Sequence, residues 1–125
     1  MQSVSGGGLW IGSLDHARVG LLMLRGGMWN GRRILSEEWV RACLMPAALN
    51  PNYGYLWWLN TDGTQAPAAP RSSFFAIGVG ANVVCVDPEH DLVVMVRWIE
   101  KSRVPAFVEL VLRAVGAAPQ PAGSA

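Results

Sequence analysis

Lysine is almost missing from this chain: Lys101 stands alone beside nine arginines. Charged residues make up only 15% of the 125 positions, against about 25% in an average soluble domain. Ten cations and nine acids leave a net charge of +1. That balance lacks the basic patch or stripe of nucleic-acid-binding proteins, so no nucleic-acid partner is expected. Histidine is limited to His16 and His90, and cysteine to Cys43 and Cys85. Neither pair has the spacing of a zinc site. No C-x-x-C occurs, and two buried free thiols are expected. Long apolar runs are missing as well. The longest aliphatic run, Leu92–Val96, is far short of the ~20 residues of a spanning helix, so no membrane span is expected. Met1–Gly8 has neither a basic n-region nor an apolar h-region, and the compartment stays open.

Apolar residues, by contrast, are abundant, at 51%. This excludes intrinsic disorder, which needs low hydrophobicity and high net charge. Such a chain either packs a dense core or presents apolar surface for something else to cover.

Local signals divide the chain into elements. Ser13 is an expected N-cap and Asp15 suits a helix N-terminus. Leu14, Ala17, Leu21 and Leu24 step with helical spacing. Val19, Leu22 and Met23 widen the apolar face around most of the cylinder, which predicts burial on several sides. Gly26-Gly27 ends this helix, and Asn30-Gly31 marks a turn. Ser36 caps a second helix with Glu37 and Glu38 in its first turn and Pro46 beyond its end. Tyr53–Leu59 is aromatic-rich and reads as a strand. On a strand, Trp57 and Trp58 point to opposite faces and both are expected in the core, with Tyr55 packing. Residues 60–73 form a loop long enough to be functional or disordered.

Phe74–Ile77 reads as a further strand ending in Gly78-Val79-Gly80. Val83–Val86 and Leu92–Trp98 flank a polar turn and form a hairpin. Apolar residues at consecutive positions in both strands predict cover on both faces. Val104–Val115 reads as a helix with Phe107, Val108, Val111, Leu112 and Val115 on its apolar face. The expected fold is α+β: an antiparallel sheet of about three to four strands ending in a meander, with helices packed on it. One C-terminal helix covers one face. The early helices cover the other only in part, which leaves sheet surface for self-association.

Familiar catalytic constellations do not assemble. Gly78-Val79-Gly80 continues as a strand rather than into a helix that could hold phosphate. Asp87, Glu89, His90 and Asp91 crowd one hairpin turn and read as a solvated turn rather than a cation site. His16 reads as a helix-surface residue, and no serine lies in G-x-S-x-G. The Ser-Lys mechanism needs S-x-x-K, but residue 98, three before Lys101, is Trp98. No Y-x-N occurs either. No cofactor or metal is expected.

Taken in order, several stretches resemble the β-lactamase-related serine hydrolases: class C β-lactamases, penicillin-binding proteins, family VIII esterases and 6-aminohexanoate-dimer hydrolases. The stretches are Gly6–Trp10, Asp15–Gly27, Trp29–Val40, Tyr53–Trp58, Phe75–Asn82 and Val86–Val94, and together they cover residues 6–115. The resemblance implies an antiparallel sheet flanked by helices and an acyl-enzyme reaction on a small-molecule ester, amide or β-lactam. In the family an S-x-x-K serine is acylated, its lysine assists, and a Y-x-N tyrosine shuttles protons. A third motif, often K-T-G, H-x-G or W-G-G, lies on the strand beside the serine and contributes main-chain N–H groups to the oxyanion hole.

The first two motifs lie upstream of this region in the family. Residues 1–116 are therefore expected to be part of such a domain without its N-terminal half, and 117–125 a flexible Ala/Pro tail. No catalytic residue is expected in this chain. Ala76-Ile77-Gly78 is the best match to the third motif, with Gly80 beyond it; Ser72-Ser73 with Phe74 is an alternative register. A bulge or close packing at Gly78 and Gly80 is compatible with either. The resemblance implies a bacterial cytoplasm or periplasm.

Overall fold

The structure is a computed structural model, and it describes residues 9–117. The Gly6–Gly8 run and tail residues 118–125 lie outside the described residues. Helix α1, Ser13–Leu24, comes first. It is followed by a small hairpin of β1, Met28–Trp29, and β2, Arg32–Arg33. Asn30 and Gly31 turn that hairpin with φ of 47° and 76°, the pair of positive angles a type I′ turn requires. Helix α2, Glu37–Cys43, begins at Ser36, whose hydroxyl accepts from the Trp39 N–H at 3.0 Å. The expected cap is therefore present. At α1 it is not: Gly12 occupies the N-cap, without a side-chain bond, and Ser13 is already helical.

Strands β3, Trp58–Leu59, β4, Phe74–Gly78, β5, Asn82–Asp87, and β6, Leu92–Val96, form one antiparallel sheet in sequential order. A 3₁₀ turn, Lys101–Arg103, leads into helix α3, Val104–Ala117. The α+β class and the meander agree with the sequence reading. The strand expected over 53–59 is much shorter. Leu56 takes φ 64°, and the Gly54 N–H donates to the Trp57 carbonyl at 2.8 Å. A tight turn thus precedes the two residues that pair with β4, and Tyr53 bridges back to Trp58 across it.

Pairing register sorts the strand side chains onto two faces. Phe74, Val84 and Val86 pack with Met23 of α1, Val40 and Cys43 of α2, and Trp57. Phe75, Val83 and Cys85 pack with Val104 and Val108 of α3 and with Ala66 and Ala69. Both faces of the sheet therefore carry a layer, and the expected uncovered face is corrected. Gly20 supplies the missing cover by letting α1 lie directly on β5 and β6, while residues 60–73 fold inward on the α3 face. Burial of α1 on several sides is corrected too. It packs through one face, while Leu14 and Val19 remain exposed.

The inward fold of residues 60–73 depends on Asn60, which is fully buried. Its Nδ2 donates to the carbonyls of Ala66, Ala69 and Pro70 at 3.0, 3.2 and 3.1 Å. Its Oδ1 accepts from the Ala66 N–H at 3.1 Å. One amide thus replaces the pairing that buried loop backbone would otherwise lack.

Cys43 and Cys85 are both buried and free. Burial, with a smaller contribution from Asp87, pushes the Cys85 thiol up to about 12, and burial raises Cys43. Because the thiolate is the reactive form, Ellman's reagent should label neither cysteine in the native protein, whereas the denatured chain should titrate both. Native labelling at the denatured rate would contradict this packing.

Candidate functional site

The C-terminal end of β4 and the turn into β5 wall a cavity of about 800 Å³. Ile77, Gly78, Val79 and Gly80 form one side. Trp58, the Thr64–Gln65 stretch, Ile99, Lys101 and the start of α3 also line it.

Local conformation shapes the turn. Gly78 pairs with Asn82, so Val79, Gly80 and Ala81 bridge the strands. Gly80 has φ 77°, and a Cβ there would lie 2.2 Å from the Trp98 ring. Only glycine meets both demands. Asn82 Nδ2 braces the turn by donating to the Val79 carbonyl at 2.6 Å.

Register leaves part of β4 unpaired. Trp58 pairs with Phe75, and the Asn60 N–H donates to the Ser73 carbonyl at 3.1 Å. Main-chain groups of residues 73 and 75 therefore face β3, and by strand alternation those of Ile77 face the same way. Strand β3 begins at Trp58, and the turn around Leu56 carries the preceding chain away. The Ile77 N–H and carbonyl thus form an open strand edge beside the cavity, available to a ligand amide or carbonyl.

The sequence-predicted site residues separate here. Ile77, Gly78 and Gly80 line the cavity. Ala76 packs on the opposite face, against the α1 and α2 core. In the alternative register, the Ser72 hydroxyl donates to Glu89 Oε1 at 3.2 Å. Ser73 is buried, and its Oγ has no partner among the described residues. Neither serine lines the cavity. Both tryptophans were expected in the core. Trp57 is, edge-on to Phe74 at 5.1 Å, and half-buried Trp58 packs against the α3-side core while also lining the cavity. Tyr55 lies against Trp39 on the surface, with ring centroids 5.8 Å apart and the rings tilted by 35°.

Sequence reasoning did not place Lys101 at the cavity, which it lines. It was set aside because no S-x-x-K precedes it. Its signal was its singularity and its position between a strand and a helix start.

The polar hairpin turn has a structural explanation. Asp87 is buried, and its Oδ1 accepts from the N–H groups of Glu89 and His90 at 3.0 and 3.3 Å. Its Oδ2 lies 2.7 Å from His90 Nδ1. Asp91 reaches Arg25 at the end of α1, with the Nη2–Oδ2 contact at 3.1 Å. That hydrogen bond holds the Asp91 carboxyl below its usual range. His16 is half-buried, and desolvation, then Arg97, lowers its pKa. The two histidines sit on different elements. Among the described residues no group of three or more His, Cys, Asp or Glu is placed to hold a metal. No described helix is long and apolar enough to cross a membrane.

Near the cavity wall, Asp62 is held down to about 2 by hydrogen bonds from the Thr64 side chain and backbone and from Asn52. A carboxyl depressed on folding stabilises the protein above its unfolded pKa of roughly 4, and that contribution disappears as pH falls through about 2. Asp62→Asn should therefore flatten the acid limb of the stability curve between these values. An unchanged limb in acid unfolding would contradict the assignment.

No family model matches the chain, and no curated protein does. Solved structures do. One, from Bacillus anthracis and assigned as a 6-aminohexanoate-dimer hydrolase, superposes with a TM-score of 0.59 at 20% identity. The match covers 86% of this chain and 30% of that one. At this identity the likeness shows the fold: an α+β arrangement consistent with part of a β-lactamase-like domain. The chain spans under a third of the length of that neighbour.

Proposed function

We propose that residues 1–116 are the C-terminal part of a β-lactamase-related serine hydrolase, acting on a small-molecule ester, amide or β-lactam through an acyl-enzyme. The observation that carries this reading is the open main-chain edge at Ile77, set beside the cavity within the stretch that resembles the family's third motif. Such an edge can align a substrate amide as an added strand and donate the Ile77 N–H toward a developing oxyanion. In this reading Ile77, Gly78 and Gly80 form the substrate and oxyanion wall, while Ala76 anchors the strand. The acylated serine, its lysine and the proton-shuttling tyrosine come from outside these residues. The structural neighbour's assigned substrate is a 6-aminohexanoate dimer, which fits cleavage of this class. The coding sequence upstream of Met1 is the direct test. An in-frame S-x-x-K followed by Y-x-N is expected; a stop codon close upstream would overturn the reading.

A second reading is favoured by the layer on each sheet face. A chain with two filled cores could fold as a free-standing module and associate through the edge of β6, whose outer side has no strand partner among the described residues. Sedimentation at micromolar concentration separates the readings. A discrete, cooperatively unfolding dimer supports the module, and a soluble aggregate supports the partial domain.

A further inference from the structure

Helix α1 has two unlike faces. Gly20 and Met23 press on the sheet side, whereas Leu14, Asp15, Arg18 and Val19 are exposed on the outer side. Leu14 is 75% exposed. Residues three and four apart are neighbours on a helix surface, so these four side chains make one patch. A groove of about 330 Å³ adjoins it, between α1 and the chain around the β1–β2 hairpin. Val19, Leu22, Trp29 and Ile34 give the groove an apolar lining, and Asp15 and Arg18 are the charged residues of that lining. The next cation on the helix, Arg25, is committed to Asp91.

This pattern is its own complement. A two-fold axis would turn the face onto a second copy with the helices antiparallel, so that every contact occurs twice. The register that sets Asp15 against Arg18 of the second copy also sets Leu14 against Val19 of the second copy. Each Leu14 then reaches the groove that Val19 and Leu22 line in the other copy. Within one chain Arg18 already pairs with Asp15, so the dimer would close a ring of alternating charges.

We infer that the outer face of α1 is a docking surface for a second copy of this chain, held by paired Asp15–Arg18 and Leu14–Val19 contacts. This rests on the chain folding alone, as in the second reading above, which the filled core on each sheet face supports. It names a surface other than the β6 edge.

Sedimentation velocity of the full chain at micromolar concentration should show a dimer. Asp15→Arg and Arg18→Asp each set like charges against one another across the axis, and each should weaken self-association by at least about tenfold. An equimolar mixture of the two variants restores opposite charges and should dimerise as the wild type does. The double variant Asp15→Arg/Arg18→Asp should do the same. A folded monomeric wild type, a dimer that both single variants retain, or variants that do not recover on mixing would overturn the inference and leave the free-standing module standing. A retained dimer is the result that association through the β6 edge would give. A soluble aggregate without cooperative unfolding would overturn both. Asp15 and Arg18 are exposed, and circular dichroism of each variant checks that it has folded.

Discussion

Asn60→Ala should destabilise the protein by about 3 kcal/mol and release residues 61–72 from the cavity wall. The Asn60 side chain makes four hydrogen bonds to buried or part-buried loop backbone. Its removal leaves several of those groups without a partner, and each orphaned buried group costs about 1–3 kcal/mol. Water entering the vacated space offsets part of that, which sets the figure near the lower end of the sum. A local consequence should follow. Thr64 and Gln65 lose their fixed positions on the cavity, so amide exchange across 61–72 should accelerate far more than in β4–β6. Urea unfolding and hydrogen exchange measure the two effects. Asn60→Asp is a sharper variant, because it keeps the shape but loses the Nδ2 donor facing three carbonyls. Near-wild-type stability in Asn60→Asp would contradict the role given to that amide.

Gly20→Leu should cost about 3 kcal/mol, the upper part of the range for overpacking a core. Any Cβ at this position would lie 2.7 Å from Val84 Cγ1 and 2.9 Å from Val93 Cγ1. These branches are short and stand on strands β5 and β6, so the helix must lift away. Gly20→Ala separates the opposing effects. Alanine gains about 1 kcal/mol in helix propensity but meets the same valine contacts. Overpacking costs about 1–3 kcal/mol, so a net loss near 1 kcal/mol is expected. A more stable Gly20→Ala protein in thermal unfolding would mean that α1 does not sit this close to the sheet.

These two residues also mark where the sequence was silent. The helices, the Asn30-Gly31 turn, the Ser36 cap and the β4–β6 meander rest on signals within a few residues, and they were legible. The cover on the second sheet face was not. It depends on Gly20, which reads in sequence as an ordinary weak helix residue, meeting valines more than sixty positions away. Equally illegible was the loop over residues 60–73, whose Gly, Pro and Ala content suggests exposure although one amide folds it inward beside α3 on the other face. At the candidate site, the strand end carrying Ile77 and Gly78, with Gly80 in the turn beyond it, was singled out only by its resemblance to a motif. The open edge at Ile77 depends on where β3 begins, and that is set by the positive φ at Leu56. Lys101 joins the site only through the path of the turn between β6 and α3. Ala76 falls on the other face because side chains alternate along a strand.

Release of p-nitrophenol from p-nitrophenyl acetate, with intact mass measured alongside, tests the central claim most directly. It should be run on this chain as it stands and on the chain extended by its upstream coding segment. The account predicts no release above a denatured control from the chain alone. It predicts a burst from the extended protein, with one acyl group added at the serine of S-x-x-K. Sustained turnover by the chain alone, or no acyl adduct on the extended protein, would contradict it.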